Sequence, residues 1–342
     1  MRRYSFWLAL GLVGASLAAT AAPVSDVLLR PALIVSSPAH AVLIDITRAA
    51  NRLVAVGEQG VILLSDDNGQ RWRQASVPVS VSLTSVSFAS ASQGWAVGHA
   101  GVVLHTADGG EHWALQLDGK QAAQRVLEAV PADDPRQLKA AQGFVADGAD
   151  KPWLAVQFSN EREGTVVGAF GLILHTRDGG ITWQSWVDRL PNPAGNHLYA
   201  IVARDARIFI AGEQGTLWAS TDGGARFTRL PSPYDGSFFT LDLSPEGDVL
   251  VAGLKGNVWR SSDQGEHWTA VSNPFNSSVM AARSLGHAGV MLADQSGHLL
   301  LAAPGSELRE QGMSTAIASF IQAADGQWIT VGARGIQQVK AQ

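Results

Sequence analysis

The chain of 342 residues contains no cysteine. Disulfides, thiolate metal ligands and a cysteine nucleophile are therefore excluded, although an exported protein need not carry disulfides. Positive charge is in short supply: 25 Lys and Arg face 30 Asp and Glu, a net charge of −5. Without a basic cluster there is nothing to neutralise phosphates, so nucleic acid is excluded as a partner. Long apolar runs are confined to the N-terminus, where Phe6 to Ala19 follows Arg2 and Arg3 and precedes the small residues Ala19-Thr20-Ala21. That is the pattern of a secretory signal peptide over residues 1–21, cleaved after Ala21 or Ala22, with an uncleaved anchor as the alternative. No cysteine is present to carry a lipid, which excludes a lipoprotein, and no other stretch is long enough to span a bilayer. Cleavage removes two of the 25 basic residues and moves the balance from −5 to −7. Residues 22–342 are expected as an exported, periplasmic monomer without stable membrane insertion.

What the chain has in abundance is glycine, 36 residues, and much of it falls in a phrase written five times. Ser65-Asp66-Asp67-Asn68-Gly69-Gln70-Arg71-Trp72 recurs over Thr106–Trp113, Thr176–Trp183, Ser220–Phe227 and Ser261–Trp268. Each copy reads Ser/Thr-x-Asp-x-Gly-x-x-aromatic, the Asp-box, a hairpin turn. The carboxylates of Asp67, Asp108, Asp178, Asp222 and Asp263 are expected to accept backbone N–H groups two residues on and hold the turn. Gly69, Gly110, Gly180, Gly224 and Gly265 supply positive φ. Trp72, Trp113, Trp183, Phe227 and Trp268 anchor the returning strand in apolar surroundings.

A second phrase, Gly-x-x-Gly followed by an apolar strand, precedes every box. It begins at Gly57, Gly98, Gly168, Gly212 and Gly253, with two box-less copies at Asp294–Gly297 and Gly332–Gly335. The seven starts are separated by 41, 70, 44, 41, 41 and 38 residues. A period near 40 residues built of short strands and glycine turns predicts an all-β, seven-bladed β-propeller with four strands per blade. The last repeat stops near Val339 after its third strand. Residues 31–37, centred on the apolar Ala32-Leu33-Ile34-Val35, are expected to supply the fourth and close the ring. The 70-residue step holds an insert, 118–152, between blades two and three. Ala122, Val126, Leu127 and Val130 fall on one helical face there. Asp134 is placed to cap a second helix beginning at Pro135 and running through Leu138, Ala141 and Val145.

In a propeller the box turns lie on one face, and the Gly-x-x-Gly turns lie on the opposite face with the inter-blade crossings. The insert therefore shares a face with the variable residues inside Gly-x-x-Gly. Box residues repeat because the fold needs them, whereas these pairs diverge, as a binding ring would. Glu58, Gln59, His99, Phe170, Glu213, Gln214, Lys255, Gln295 and Arg334 form the candidate partner-binding face. Divergence also fits plain drift at exposed loop tips.

The run Gly94-Trp95-Ala96-Val97-Gly98-His99-Ala100-Gly101 through Asp108-Gly109-Gly110-Glu111-His112-Trp113 resembles the repeat of the photosystem II stability/assembly factor family. Val167–Trp183 resembles it nearly as well. The stretch from Asp150-Lys151-Pro152-Trp153 to Gly171 is similar to the branch of non-photosynthetic bacteria. That resemblance implies an exported, non-enzymatic assembly factor carrying a helical insert. Its partner would be an envelope membrane protein, a transporter of the resistance-nodulation-division class, since such genes tend to neighbour it. No cofactor is implied.

Asp-boxes also occur in sialidases, so a divergent glycosidase, or a propeller binding glycans or small ligands, is the rival reading. A sialidase-like site needs three arginines and a Tyr–Glu pair, and the mature chain keeps only Tyr199 and Tyr234. Glu58 and Glu213 lie on the right face for paired-carboxylate chemistry but in blades one and four, too far apart across the ring. Of the nine histidines, His105 and His175 share one strand position and His112 and His267 one box position. Repetition spreads them around the ring, and no metal site is expected.

Overall fold

The computed structural model describes residues 26–131, 133–303 and 305–340. The expected signal peptide lies outside them. Seven antiparallel sheets follow one another along the chain, the first six with four strands each. Blade one shows the pattern: Leu43–Ala49, Arg52–Gly57, Ile62–Ser65 and Arg73–Gln74, each strand paired with the next. The innermost strands of the other blades are Leu83–Phe88, Trp153–Phe158, Leu198–Arg204, Phe238–Leu243, Val279–Ser284 and Ser319–Gln322. Second strands such as Leu53-Val54-Ala55-Val56 are buried on both faces, because each sheet is sandwiched between two others. The chain is thus a seven-bladed β-propeller, as the repeat spacing predicts.

The Asp-box works by a slightly different bond set from the one expected. Asp67 Oδ1 accepts from the amide of Arg71, four residues on and not two, at 2.9 Å. Ser65 Oγ accepts from Gly69 N at 2.8 Å and donates to Asp67 Oδ1 at 3.0 Å. The hydroxyl that opens the motif therefore ties the glycine, and the carboxylate ties the residue before the aromatic. The same bonds recur at Asp108, Asp178, Asp222 and Asp263. The box glycines all have positive φ, for example 95° at Gly110. Trp113, Trp183 and Phe227 are buried, while Trp72 and Trp268 are half-buried.

The expected closing strand is absent, and this part of the reading is corrected. The seventh sheet has three strands, Ser319–Gln322, Trp328–Gly332 and Gly335–Val339. Residues 31–37 run along the outside of blade one instead. Ala32 N donates to Val77 O at 3.0 Å, and Leu33 N donates to Gln59 O at 3.1 Å. Pro31 and Pro38 bracket the segment and offer no N–H to a ladder, and the two-residue outer strand of blade one leaves nearby backbone free to capture it. The turn Pro38–His40 reaches the last blade, with Ala39 O packed on Gly335, and Val35 and Ala41 pack against the core that blades one and seven share.

Closure comes from side chains. Leu43, Ile46 and Leu53 of blade one share a core with Ile329 and Val331 of blade seven. At the channel wall Asp45 is the knot. Its Oδ1 accepts from Ser319 Oγ (2.8 Å), Ile46 N (2.8 Å) and Arg283 Nη2 (3.3 Å), and its Oδ2 from Ser85 Oγ (3.2 Å) and Val86 N (3.0 Å). One carboxylate thereby joins blades one, two, six and seven.

Candidate functional site

The insert forms two helices, α1 (Gly119–Ala129) and α2 (Pro135–Asp147). Asp118 caps α1 in a capping box with Gln121, and Asp134 caps α2 by accepting from Arg136 N and Gln137 N. Ala122 and Val126 are buried against blades two and three, with Leu127 and Val130 packed beside them. On α2, Ala141 is buried but Val145 is 40 % exposed, and Phe144 turns inward in its place. The start of α1 sits directly on the second blade's Gly-x-x-Gly turn: a Cβ at Gly101 would lie 2.4 Å from Gly119 Cα. Insert and turns therefore share one face.

The nine face residues divide into two groups. Glu58, Gln59, His99, Gln214, Lys255, Gln295 and Arg334 stand exposed at the tips of their own turns. Phe170 and Glu213 are instead drawn into one cluster with residues the repeat pattern does not single out. The Phe170 ring centroid lies 6.4 Å from that of Phe144 on α2 and 5.0 Å from that of His197. His197 lies 6.2 Å from Tyr199, and Tyr199 lies 5.4 Å from Phe239 at the channel. A continuous aromatic strip thus leads from the insert to the channel mouth. Phe144 stands three residues from Ala141 on the same helical face, a signal the sequence carries. Lys151, His197 and Tyr199 meet only through the fold.

The strip is charged along one side. Lys151 Nζ sits 5.4 Å above the Phe170 ring and 5.9 Å above Phe144, and bonds Asp147 at 2.8 Å and Asp150 at 2.5 Å. Burial works to lower the Lys151 ammonium, but the hydrogen bonds and charges of the two aspartates outweigh it and hold it above its ordinary value. Glu213 Oε2 accepts from His197 N at 3.1 Å. It also lies 3.2 Å from His197 Nδ1, without the alignment of a hydrogen bond, so that buried ring nitrogen is unpartnered. Burial, helped by the Glu213 charge, pushes the Tyr199 hydroxyl up.

Phe170 is held in the left-handed region at φ 57°, like Gln59, Ala100, Gln214 and Lys255 at the equivalent turns. For a bulky residue that conformation is strained by about 1–2 kcal/mol. The ring it carries is nonetheless 48 % exposed. An exposed aromatic on a strained turn is a poor contribution to stability and a good contact for a partner.

The channel below holds a cavity of about 490 Å3 walled by the innermost strands. Its single carboxylate, Asp45, is occupied by the closure bonds, so no acid pair flanks a substrate there. Among the described residues no group of three His, Asp or Glu side chains is arranged to hold a metal ion, and no helix is long and apolar enough to cross a membrane.

The fold finds counterparts among known proteins. A curated relative, photosystem II assembly lipoprotein Ycf48 of Synechococcus sp. (strain CC9902), is 38 % identical over 77 residues. That match spans 22 % of this chain and 23 % of the relative, so most of the relative's length lies beyond it. The solved structure of YCF48 bound to D1 peptide superposes with a TM-score of 0.64 at 17 % identity, covering 92 % of this chain and 99 % of that one. The streptogramin B lyase structure superposes with a TM-score of 0.68 at 14 % identity, covering 93 % and 100 %. At such identities both show the propeller alone. The family model for photosynthesis system II assembly factor YCF48 matches residues 28–132 and 144–337, nearly all of the described propeller. This chain belongs to that family.

Proposed function

We propose that the chain is a non-catalytic assembly factor that grips a protein partner on the insert face, in an exported, periplasmic setting. The observation that carries this reading is the aromatic strip from Phe144 through Phe170 and His197 to Tyr199, flanked by Lys151 and Glu213. An exposed ring, Phe170, backed by half-buried aromatics on a rigid scaffold and rimmed by charge suits a protein surface better than a small substrate. The peptide seen on a solved YCF48 structure supports a protein ligand for the fold. Phe170 and Glu213 are the proposed contacts at the centre, with Glu58, Gln59, His99, Gln214, Lys255, Gln295 and Arg334 around the rim. A membrane transporter as the partner rests on the resemblance to the non-photosynthetic branch.

A small-ligand reading has one observation in its favour, the channel cavity of about 490 Å3 where Tyr199 and Phe239 meet the wall. The test separates the two. Crosslinked capture from envelope membranes is compared for the intact protein and for a variant whose residues 118–152 are replaced by a short turn. The assembly reading expects one membrane protein to be lost from the variant while its propeller still melts cooperatively. Recovery of the same proteins by both would overturn it.

A further inference from the structure

A second cavity among the described residues does not lie on the insert face. It measures about 840 Å3 and opens on the box face between blades five and six. Its origin lies in blade six, the one four-stranded blade without an Asp-box. Elsewhere each box is laid over the preceding blade. A Cβ on Gly224 would strike Trp186, and one on Gly265 would strike Leu230. Trp186 and Leu230 each donate their amide to the third strand of their own blade, to Ile173 O and Leu217 O, and Val271 does the same to Val258 O. Val271 is thus the floor on which a sixth box would rest.

The aromatic has gone as well. Trp113 N bonds Ser76 O and Phe227 N bonds Arg189 O in the preceding blades, and the equivalent bond in blade six is Leu308 N to Ser272 O. A leucine therefore stands where the other boxes place Trp or Phe. With the turn gone, Val271 stands half-buried at the cavity floor beside the buried Leu250 and Val290, and Leu308 fills the place of the ring in the core beneath. Around it stand the carboxylates of Glu246, Asp248, Asp263 and Glu307 against one guanidinium, Arg260, which pairs with Asp248. The imidazoles of His287 and His267 touch Glu246 and Asp263 at 2.9 and 2.7 Å.

We propose that this vacated box position is a binding site for an aromatic organic cation. The ring would take the place of the missing box turn above Val271, and the positive charge would face the acidic rim. The volume suits a ligand of several fused rings. The reading is independent of the partner face, which lies at the other end of the strands.

The test is a fluorescence titration with ethidium at pH 8, with the aromatic anion anilinonaphthalene sulfonate as the control. Saturable ethidium binding at one site is expected, with the anion binding much more weakly. Val271→Trp, which fills the floor of the cavity, should weaken ethidium by about tenfold or more. Glu246→Gln combined with Glu307→Gln should weaken it by about threefold to tenfold and reduce its salt dependence. The double variant alters exposed side chains only, so it keeps the test decisive if Val271→Trp does not fold. Absence of saturable binding, equal binding of the anion, or wild-type affinity in the double variant would each overturn the proposal.

Discussion

Phe170, on the turn of blade three, and His197, at the start of blade four, bring their rings to 5.0 Å across a blade boundary. The ring that makes this contact is carried at φ 57°. Replacing Phe170 by Gly removes both the ring and the strain, and the two effects offset each other. Chemical denaturation should show a stability change within about 1 kcal/mol, while partner capture is lost. A strongly destabilised variant would instead make the ring a structural element.

Asp45 should matter far more to folding. It joins four blades through five hydrogen bonds at the point where the chain ends meet. Asp45→Ala leaves the Ser319, Ser85 and Arg283 donors without their acceptor. A loss of about 2–4 kcal/mol is expected from the urea midpoint. A change near zero would mean that the apolar core between blades one and seven closes the ring alone.

Asp242 contributes in the opposite sense. Its Oδ2 is buried without a partner, and burial pushes its carboxyl up, with Arg283, Ser284 N and Arg204 pulling back only in part. The folded protein then holds this proton to higher pH than the unfolded chain does. Stability from this group is complete below the unfolded value of 3.8 and falls as pH rises through the raised folded value. Asp242→Asn removes that fall. The variant should gain on the order of 1 kcal/mol over the parent at pH 7 and little at pH 3, read by paired thermal melts.

The boxes set the acid limit. Slight burial works to raise Asp108, but hydrogen bonds from His112 and Thr106 outweigh it and hold it at about 2. Asp263 is likewise drawn to about 2, first by the His267 amide and then by the His267 ring and Ser261. Stability from these carboxylates is present above 3.8 and is lost as pH falls towards 2. Melting temperature should drop over that interval, and drop less in an Asp108→Asn, Asp263→Asn variant. An identical acid profile in the two proteins would contradict the role given to the boxes.

These particulars show what a sequence of this kind discloses. The boxes and the Gly-x-x-Gly turns are local, so five or seven copies in register specify blades, faces and the insert's place between blades two and three. Closure is not local. The apolar stretch Ala32-Leu33-Ile34-Val35 reads as a strand, but its partner is decided by which backbone groups lie free nearby, and blade one won them. The cluster around Phe170 was half legible. Phe170 and Glu213 stand in the repeat, whereas Lys151 and His197 reach them from segments with no repeat signature.

The most direct measurement is site-specific photocrosslinking within blade three. A photoreactive residue is placed at Phe170, on the insert face, or at Ile181, which is 82 % exposed in the box turn at the opposite end of the strand Ile173–Thr176. Both proteins are then irradiated in the same envelope membranes. The account predicts one discrete adduct with a membrane protein from position 170 and none from 181. The same adducts from both positions, or an adduct from 181 alone, would contradict it.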